Sequence, residues 1–299
     1  MENVFAAIDI GSNAARLLIK EADSKSRRDK PVLKKLLLVR VPLRLGFDVF
    51  SKGRVSDKKA ENLLRLMKAY RQLMRIYGVD RMRACATSAM RDAENGPALQ
   101  KLIEKETGIK IEIITGEEEA RIVVANHLER AGESTGNYLY VDVGGGSTEV
   151  NLLSEGKLLR TFSFNIGTVR ILSDKVKPSE WERLNREIGE LAGKYGPMTI
   201  IGSGGNINRI YRMVTDKDPA TQSIPVSALS RLYHLLAPLS VEQREEIYGL
   251  KPDRADVIVP AASIFLAVAS LCGAERIIVP VIGVADGIID CLYRDSLPR

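Results

Sequence analysis

The sequence predicts a two-domain α/β protein, and two observations carry that prediction. Two similar motifs stand about 130 residues apart, Asp9-Ile10-Gly11-Ser12-Asn13 and Asp142-Val143-Gly144-Gly145-Gly146-Ser147-Thr148-Glu149. Each motif lies between two apolar runs, so each predicts strand–turn–strand rather than the strand–turn–helix of a dinucleotide-binding or P-loop unit. The chain of 299 residues is also long enough for two domains that each bury a core.

The first half alternates between apolar runs, which predict strands, and apolar positions at helical spacing, which predict helices. Ser56 is a residue type that caps helices, and Gly78 and Gly108 are typical of helix ends. The predicted strands are Val4–Ile10, the run ending at Ile19, Lys34–Leu45, Met82–Thr87 and Ile109–Thr115, and the predicted helices run from Ser56 to Tyr77, Ala98 to Thr107 and Glu117 to Leu128.

The second half begins with the same order of strand, turn and strand. Strands are predicted at Tyr138–Val143, Glu149–Leu153 and Met198–Ile201, and the turn Gly202-Ser203-Gly204-Gly205 then opens a helix. The predicted domain boundary lies near residues 125–137, where the stretch 130–137 is polar and glycine-containing. The predicted domains are therefore 1–125 and 126–299.

The stretch Val257–Ala274 contains no charged residue over 18 positions, which raises the question of a membrane span. A span needs about 20 strongly apolar residues. This stretch is shorter, contains Pro260 and several small residues, and is flanked by Asp256 and Glu275. The sequence therefore favours a buried core helix and predicts no membrane association.

Composition predicts a soluble cytoplasmic protein. Charged residues make up 27% of the chain and hydrophobic residues 45%, which is typical of globular proteins. Met1–Gly11 already enters the first motif, so we expect no secretory signal. Cys85, Cys272 and Cys291 are an odd number with no CxxC spacing, which argues against a disulfide framework or a zinc site.

The net charge of +6 is unevenly distributed. The segment from Arg16 to Lys110 holds 24 Lys or Arg against 11 Asp or Glu. Such a segment can attract a polyanion through its summed field, although a solvated surface without a ligand explains it equally well. Aromatic residues total 5% and do not alternate with the basic ones, so nucleic-acid binding is not expected.

The two motifs combine the residue types that phosphate chemistry requires. Glycines let backbone N–H groups line a concavity that binds phosphate oxygens. Asp9 and Asp142 each stand where a strand ends, and Glu149 returns to the neighbourhood of Asp142 after the turn. Mg²⁺ typically takes one or two protein carboxylates, its own waters and substrate phosphates. The pattern therefore predicts a phosphate cleft between two domains.

Three consecutive glutamates, Glu117-Glu118-Glu119, stand at the predicted start of a helix. Acidic residues there complement the helix dipole, which explains most such clusters. Phosphoanhydride hydrolysis, however, also needs a residue that orients and deprotonates water. The two histidines, His127 and His234, lie outside any motif, so we expect a carboxylate to act as the base.

At this point the motifs resemble those of the exopolyphosphatase and guanosine pentaphosphate phosphatase family, within the actin, hexokinase and heat-shock-70 superfamily. The matching pieces occur in the family's order and cover essentially the whole chain. They are Ala7-Ile8-Asp9-Ile10-Gly11-Ser12-Asn13, Ala86-Thr87-Ser88-Ala89-Met90-Arg91-Asp92-Ala93, Thr115-Gly116-Glu117-Glu118-Glu119-Ala120-Arg121, Val141-Asp142-Val143-Gly144-Gly145-Gly146-Ser147-Thr148-Glu149 and Arg254-Ala255-Asp256-Val257-Ile258.

The resemblance implies two ribonuclease-H-like, actin-like domains with the active site in an interdomain cleft. It implies that Glu119 is the general base on the attacking water, and that Asp142 and Glu149, supported by Asp9, position Mg²⁺ or Mn²⁺. It assigns phosphate contacts to Arg91 and to two backbone cradles. The cradle residues are Gly11, Ser12 and Asn13 in the first loop and Gly144, Gly145, Gly146, Ser147 and Thr148 in the second.

Three functions remain open at this stage. The first is hydrolysis of the terminal phosphoanhydride bonds of inorganic polyphosphate, with guanosine pentaphosphate as the alternative substrate. The second is a small-molecule kinase of the same superfamily, which the Glu119 segment disfavours because that segment belongs to the hydrolase pattern. The third is a non-catalytic sensor of guanosine polyphosphates, which the retention of Asp9, Glu119, Asp142 and Glu149 disfavours. The resemblance is also compatible with a homodimer.

Overall fold

The computed structural model describes residues 3–23, 32–131, 136–280 and 283–297. The chain divides into two compact units. The first comprises Met1–Asn126 together with Val284–Arg299, and the second comprises His127–Gly283. The sequence-based division into 1–125 and 126–299 did not assign the C-terminal segment to the first unit.

Strands and helices alternate through both units. The strands are β1 (Val4–Ile10), β2 (Ala15–Ala22), β3 (Leu33–Val41), β4 (Arg81–Ala86), β5 (Ile111–Ile113), β6 (Asn137–Val143), β7 (Thr148–Ser154), β8 (Lys157–Phe164), β9 (Thr199–Ser203), β10 (Ser223–Pro225) and β11 (Arg276–Ile278). The helices are α1 (Leu45–Lys52), α2 (Asp57–Ile76), α3 (Ser88–Asp92), α4 (Gly96–Thr107), α5 (Gly116–Ala131), α6 (Thr168–Leu172), α7 (Pro178–Tyr195), α8 (Gly205–Met213), α9 (Val226–Leu236), α10 (Val241–Tyr248), α11 (Pro252–Ala255), α12 (Ile258–Cys272) and α13 (Val284–Ser296).

The first unit is built on a five-stranded sheet in the order β3-β2-β1-β4-β5. The first three strands pair antiparallel, and β4 and β5 then run parallel to β1. Six of the seven β1 residues are buried, because this strand lies at the centre of the sheet. A near-continuous apolar run is what a central strand covered on both faces requires.

The C-terminal helix α13 packs against β1, β2 and β4 of the first unit. Its buried face consists of small and branched apolar residues, and Gly287 allows the closest approach. A Cβ at Gly287 would lie 2.2 Å from the carbonyl oxygen of Ile122 on α5. The sequence division missed this packing because the covering helix is separated from its sheet by the whole second unit.

The second unit repeats the same sheet order with one additional edge strand, β10-β11-β9-β6-β7-β8. Strands β6, β7 and β8 are antiparallel, and β9 and β11 run parallel to β6. The predicted α/β class with two related sheets is therefore confirmed. The shared order of strands also explains why the two glycine motifs occupy equivalent turns, between β1 and β2 and between β6 and β7.

Helix α12 forms the centre of the second unit's core. The helical stretch Pro252–Cys272 is apolar enough to cross a membrane by length and composition, with a mean hydropathy of 2.0, and 61% of its most apolar window is buried. Nine residues of α12 itself are buried in the core formed with β6, α7, α8 and α9. The prediction of a buried core helix agrees with this packing.

One predicted element differs in kind from the observed one. The strand expected to continue to Leu45 ends at Val41, and helix α1 begins at Leu45. Pro42 follows the strand and has no N–H to donate to a ladder, which favours its end there. Helix α1 closes at Gly53, whose φ of 76° is in the left-handed region that glycine adopts readily.

Candidate functional site

The first glycine loop joins β1 to β2 and is held by its carbonyl groups. The Ser12 carbonyl accepts from the Gly46 N–H at 2.8 Å, and the Asn13 carbonyl accepts from the Arg44 N–H at 2.9 Å. The two ends of a trans peptide point in opposite directions. The N–H groups that follow these carbonyls therefore face away from α1, as an anion cradle requires.

Ser12 also contacts the second predicted phosphate segment. Its hydroxyl lies 2.8 Å from the Ser88 hydroxyl, and both residues are buried. Ser88 begins the short helix α3, which carries Arg91 in its last turn. The structure therefore brings the first loop and the Arg91 segment together.

Asp9 is paired with an arginine. It is 3% exposed, and its Oδ2 accepts from Arg16 Nη1 at 2.6 Å. The two residues stand directly opposite each other on β1 and β2. On the other side of Asp9, β4 presents Cys85 at the matching position, and burial raises the pKa of its thiol to about 12. The charge of Asp9 is thus balanced within its own sheet.

Arg91 is tied to the segment that leads into α5. Its Nη1 donates to the Ile114 carbonyl at 2.7 Å. Helix α5 begins two residues later at Gly116 and carries the three glutamates in its first turn. The guanidinium of Arg91 is therefore held beside the start of the helix that presents Glu119.

The three glutamates of α5 have different environments. Glu117 is exposed, and Glu118 accepts from Arg83 Nη2 at 2.7 Å. Glu119 is 8% exposed, and its N–H donates to the Thr115 carbonyl at 2.9 Å. An acidic residue in the first helical turn interacts favourably with the helix dipole even when its side chain is exposed. The helix dipole therefore accounts for Glu117 more readily than for Glu119.

The second glycine loop joins β6 to β7 and packs its carbonyls against α6. The Gly144, Gly145 and Gly146 carbonyls accept from three residues at the start of that helix. The bonds are Thr168 N–H to Gly144 at 3.0 Å, Val169 N–H to Gly145 at 2.7 Å and Arg170 Nε to Gly146 at 2.8 Å.

This packing fixes the direction of the loop's N–H groups. Gly167 allows the close approach, since a Cβ there would lie 2.4 Å from the carbonyl carbon of Gly146. Because the three carbonyls point toward α6, the N–H groups of Gly145, Gly146 and Ser147 point away from it. Successive N–H groups on one side of a turn form an anion-binding concavity.

Asp142 and Glu149 flank this loop and face the same side of the sheet. They stand directly opposite each other on the antiparallel strands β6 and β7. Asp142 is 7% exposed and Glu149 is 1% exposed. The Ser163 hydroxyl on β8 donates to Glu149 Oε1 at 3.0 Å. Like charges directly opposite each other are unfavourable, so this pair favours a bound cation.

The donor set fits Mg²⁺ in particular. Two carboxylates beside a phosphate cradle are what that ion takes from a protein, the remaining positions being water and substrate oxygen. Among the described residues no group of three or more His, Cys, Asp or Glu side chains converges as a complete protein cage. Asp142 and Glu149, two carboxylates beside a glycine turn, suit a cation that shares its coordination with substrate.

The third glycine turn, after β9, lies against both Asp142 and Arg254. A Cβ on Gly204, whose φ is 93°, would lie 2.6 Å from Asp142 Oδ1. A Cβ on Gly205 would lie 2.6 Å from Arg254 Nη2, and Arg254 Nη1 donates to Asn206 Oδ1 at 2.9 Å. The sequence analysis identified this turn and the Arg254 segment separately, but no pattern in the sequence predicted that they contact each other.

The predicted site residues fall into one set in each unit. The first unit holds Asp9, Gly11–Asn13, Arg91 and Glu119, and the second holds Asp142, Gly144–Thr148 and Glu149. The interdomain cleft that would unite the two sets stays a prediction. The pairing of Asp9 with Arg16 was not predicted from the sequence. Its spacing of seven positions is the same as that between Asp142 and Glu149, and this equal spacing was the signal that could have revealed it.

The sequence matches the Ppx/GppA phosphatase family over residues 24–295. The chain belongs to this family. The resemblance stated from the motifs is thereby confirmed. The match covers well over half of the chain and includes the Arg91, Glu119, Asp142 and Arg254 segments, so family membership does not rest on the glycine turns alone.

Curated relatives of this Ppx/GppA chain include named exopolyphosphatases. It is 29% identical to Exopolyphosphatase 2 of Mycobacterium tuberculosis, with 85% of this chain and 86% of that protein aligned. It is also 29% identical to the bifunctional 3-dehydroquinate synthase/phosphatase of Fusobacterium nucleatum, with 92% of this chain aligned. In that case the chain spans 44% of the relative's length.

Solved structures of the family have the same fold. A crystal structure of the Aquifex aeolicus Ppx/GppA family member superposes with a TM-score of 0.77 at 25% identity, covering 99% of each chain. An exopolyphosphatase from Cytophaga hutchinsonii superposes with a TM-score of 0.84 at 22% identity, covering 98% of this chain and 99% of that one. The second likeness concerns the fold alone.

Proposed function

We propose that the protein hydrolyses the terminal phosphoanhydride bonds of inorganic polyphosphate and releases orthophosphate. The observation that carries this proposal is the opposed carboxylate pair, Asp142 and Glu149, beside a turn whose N–H groups point away from α6. This arrangement suits a cation and a phosphate together. Family membership supports the same reaction class, because several curated relatives are named exopolyphosphatases.

Each set of residues has a separate task in the proposed reaction. The N–H groups of Gly145, Gly146 and Ser147 hold the oxygens of the terminal phosphate. Arg91, which belongs to the first unit, contacts a phosphate group of the substrate. Asp142 and Glu149 hold Mg²⁺ or Mn²⁺, which when bound neutralises charge on the phosphoryl oxygens. Asp9, already neutralised by Arg16, supports the first loop and does not ligate the ion directly.

Glu119 is the proposed base. Its carboxylate orients the attacking water and accepts its proton as the water oxygen approaches the terminal phosphorus. The bond to the bridging oxygen breaks in line with that attack, and the shortened chain leaves through this oxygen. The burial of Glu119 supports this role, because its carboxylate is shielded from bulk water, whereas that of Glu117 is exposed.

The charge of the first unit favours a long polyanion as substrate. From Arg16 to Lys110 the chain holds 24 Lys or Arg against 11 Asp or Glu. Arg44 is hydrogen-bonded through its backbone to the first loop, and Arg91 lies on α3, whose first residue contacts Ser12 of that loop. A polyphosphate chain carries a charge on every unit and gains from each such cation.

Guanosine pentaphosphate is the second candidate substrate. The third glycine turn favours it, because Arg254 lies against Gly205 and hydrogen-bonds Asn206 at a helix start. A cation at such a turn suits phosphates beyond the terminal one.

A cytoplasmic location, a homodimer and the absence of nucleic-acid and membrane partners also stay predictions.

A comparison of three substrates tests the proposal. Phosphate release is measured from long-chain polyphosphate, guanosine pentaphosphate and ATP, each with Mg²⁺ and with EDTA. We expect the highest kcat/KM with polyphosphate and no release in EDTA. Faster turnover of guanosine pentaphosphate would assign the second substrate. Turnover of none of them, with tight guanosine polyphosphate binding, would contradict hydrolysis and support a sensor.

A further inference from the structure

Ser203, the last residue of β9, is a buried hydroxyl that the proposed reaction does not use. It is 1% exposed, and its Oγ has no hydrogen-bond partner within the part of the chain that the structure describes. Buried polar atoms are nearly always paired, and an unpaired one costs about 1–3 kcal/mol. A hydroxyl in this condition therefore points to a partner that is not part of the protein.

The position of Ser203 indicates what that partner is. Strands β6 and β9 are parallel, and Ser203 is in register with Asp142, which is in turn opposite Glu149. Residues in register on neighbouring strands face the same side of a sheet. Ser203, Asp142 and Glu149 therefore form one row across β9, β6 and β7, and Ser163 on β8 extends the row.

The carboxylate of Asp142 reaches toward the end of β9, the strand that carries Ser203. Its Oδ1 is 2.6 Å from the place a Cβ on Gly204 would occupy, and Gly204 directly follows Ser203. The row thus has a hydroxyl bonded to Glu149 at one end, through Ser163, and the Ser203 hydroxyl at the other. The Ser163 hydroxyl has a protein partner, and among the described residues the Ser203 hydroxyl has none.

The first unit provides an internal comparison. The position equivalent to Ser203 is Cys85, which is in register with Asp9 on β4. There the carboxylate is balanced by Arg16, and the thiol is a weak hydrogen-bonding group. The row with two opposed carboxylates therefore has a hydroxyl at this position, and the row with a carboxylate and an arginine has a thiol.

We propose that Ser203 is a further positioning residue of the cation and phosphate site, whose hydroxyl donates to a water or phosphoryl oxygen held beside Asp142 and Glu149. This inference rests on the proposed function, because that function supplies the cation and the phosphate. A single oxygen partner would satisfy the buried hydroxyl and fix the orientation of the bound group. Outer partners of this kind typically contribute about 10-fold or more to metal affinity.

Binding of Mn²⁺, used as the probe in the presence of inorganic phosphate, tests the inference. Free Mn²⁺ is measured by electron paramagnetic resonance in titrations of the full chain. We expect Ser203→Ala to raise the Kd for Mn²⁺ about 10-fold. The thermal midpoint of the same variant without metal should be unchanged or higher, because an unpaired buried hydroxyl is removed.

Ser154→Ala is the matched control. Its hydroxyl donates to Asn137 Oδ1 at 2.7 Å on β6, so it is a paired serine of the same sheet. We expect this control to lower the metal-free thermal midpoint and to leave the Kd for Mn²⁺ unchanged. Ser203→Cys is the second variant, since the fold already holds a cysteine at the equivalent position, Cys85. If Ser203→Ala does not fold, Ser203→Cys takes its place in the test, and we expect it to raise the Kd for Mn²⁺.

The outcomes separate this inference from the function on which it rests. An unchanged Kd for Mn²⁺ in the Ser203 variants, with normal binding by the wild-type chain, overturns the role of Ser203 alone. A fall in the metal-free midpoint as large as that of Ser154→Ala also overturns it, because the hydroxyl would then be satisfied by a structural water. Failure of the wild-type chain to bind Mn²⁺ with phosphate contradicts the proposed cation site itself.

Discussion

Asp142 and Glu149 lie directly opposite each other on β6 and β7, at the two positions that Asp9 and Arg16 occupy on β1 and β2. The two sheets have the same strand order, so these are equivalent places in a repeated structure. One place joins a carboxylate to a guanidinium at 2.6 Å, and the other joins two carboxylates. The repeat therefore places opposite charges across from each other in the first unit and like charges across from each other in the second.

The difference in charge predicts opposite effects of two similar substitutions on stability. Glu149→Gln removes a like-charge contact but keeps an acceptor for Ser163, so it should raise the metal-free free energy of unfolding by up to about 1 kcal/mol. Asp9→Asn removes the partner of Arg16, so it should lower that free energy by about 2 kcal/mol. Urea unfolding in EDTA, followed by circular dichroism, measures both.

Metal dependence supplies the control for this pair. Stabilisation by Mg²⁺ with phosphate should be lost in Glu149→Gln and retained in Asp9→Asn, because only the first variant loses a proposed ligand. If both variants lower the metal-free stability equally, the carboxylates of the second unit are not in unfavourable contact, and the argument from the repeat is wrong.

Gly204 predicts a second effect, because it sets the position of Asp142. Gly204→Ala would place a methyl group 2.6 Å from Asp142 Oδ1 at a φ of 93°, where side chains are strained. We expect a loss of kcat/KM of about 10- to 100-fold, the range typical when a group that orients a metal ligand is changed. Steady-state phosphate release measures it.

Gly249→Ala separates strain from contact at this position. Gly249 has a φ of 58°, and no atom lies within 4 Å of the place its Cβ would occupy. That control should cost about 1 kcal/mol of stability and leave turnover unchanged. Equal activity of the two alanine variants would show that the approach of Asp142 to Gly204 is unimportant for the reaction.

Arg44 predicts a trade between stability and substrate binding. Its φ of 54° is unusual for a residue other than glycine, and the conformation is held by its N–H to Asn13 and its carbonyl to Lys59 Nζ at 2.6 Å. Arg44→Gly should stabilise the fold by about 0.5–1 kcal/mol. It should also raise KM for polyphosphate without lowering kcat, because it removes a cation beside the first loop.

Gln222→Gly is the matched control for Arg44. Gln222 has a φ of 49°, and its carbonyl accepts from the Val279 N–H at 2.7 Å, beside the edge strand β10 of the second unit's sheet. It should gain similar stability while KM stays at the wild-type value. An unchanged KM in Arg44→Gly would remove Arg44 from substrate binding and leave its strain without a functional reason.

Local patterns in the sequence were enough to predict the central strands and the two equivalent turns, but not the edge strands β8 and β10 or strand β11. Short apolar runs identified β1, β6 and β9 within a few residues, and the glycines at 11 and 144 identified the loops. These features depend on short-range chemistry, namely apolar burial in central strands and tight turns after them.

Features that depend on distant contacts could not be predicted. The packing of α13 on the first sheet joins residues on either side of the second unit. The contact between Arg254 and Asn206 spans 48 positions, and no spacing rule links a glycine turn to an arginine that far along the chain. The Asp9–Arg16 pair could have been predicted from the sequence, because two strands joined by a tight turn place residues at equal distances from the turn opposite each other.

The different environments of the three α5 glutamates also depend on the fold. In the sequence Glu117, Glu118 and Glu119 are equivalent members of a first helical turn. The helix turns about 100° per residue, so each faces a different neighbour. Solvent surrounds Glu117, Arg83 holds Glu118, and only Glu119 of the three is buried.

Glu119 is therefore the residue whose substitution tests the central claim most directly. Glu119→Gln keeps the size of the side chain and removes its capacity to accept a proton, and Glu117→Gln does the same at the exposed neighbour. Phosphate release from polyphosphate with Mg²⁺ is measured for both, together with Mn²⁺ binding as evidence that the site is intact. We expect kcat to fall about 10²- to 10⁴-fold in Glu119→Gln and to stay at the wild-type value in Glu117→Gln. Near wild-type turnover in Glu119→Gln, with Mn²⁺ binding retained, would contradict the role of Glu119 as the base.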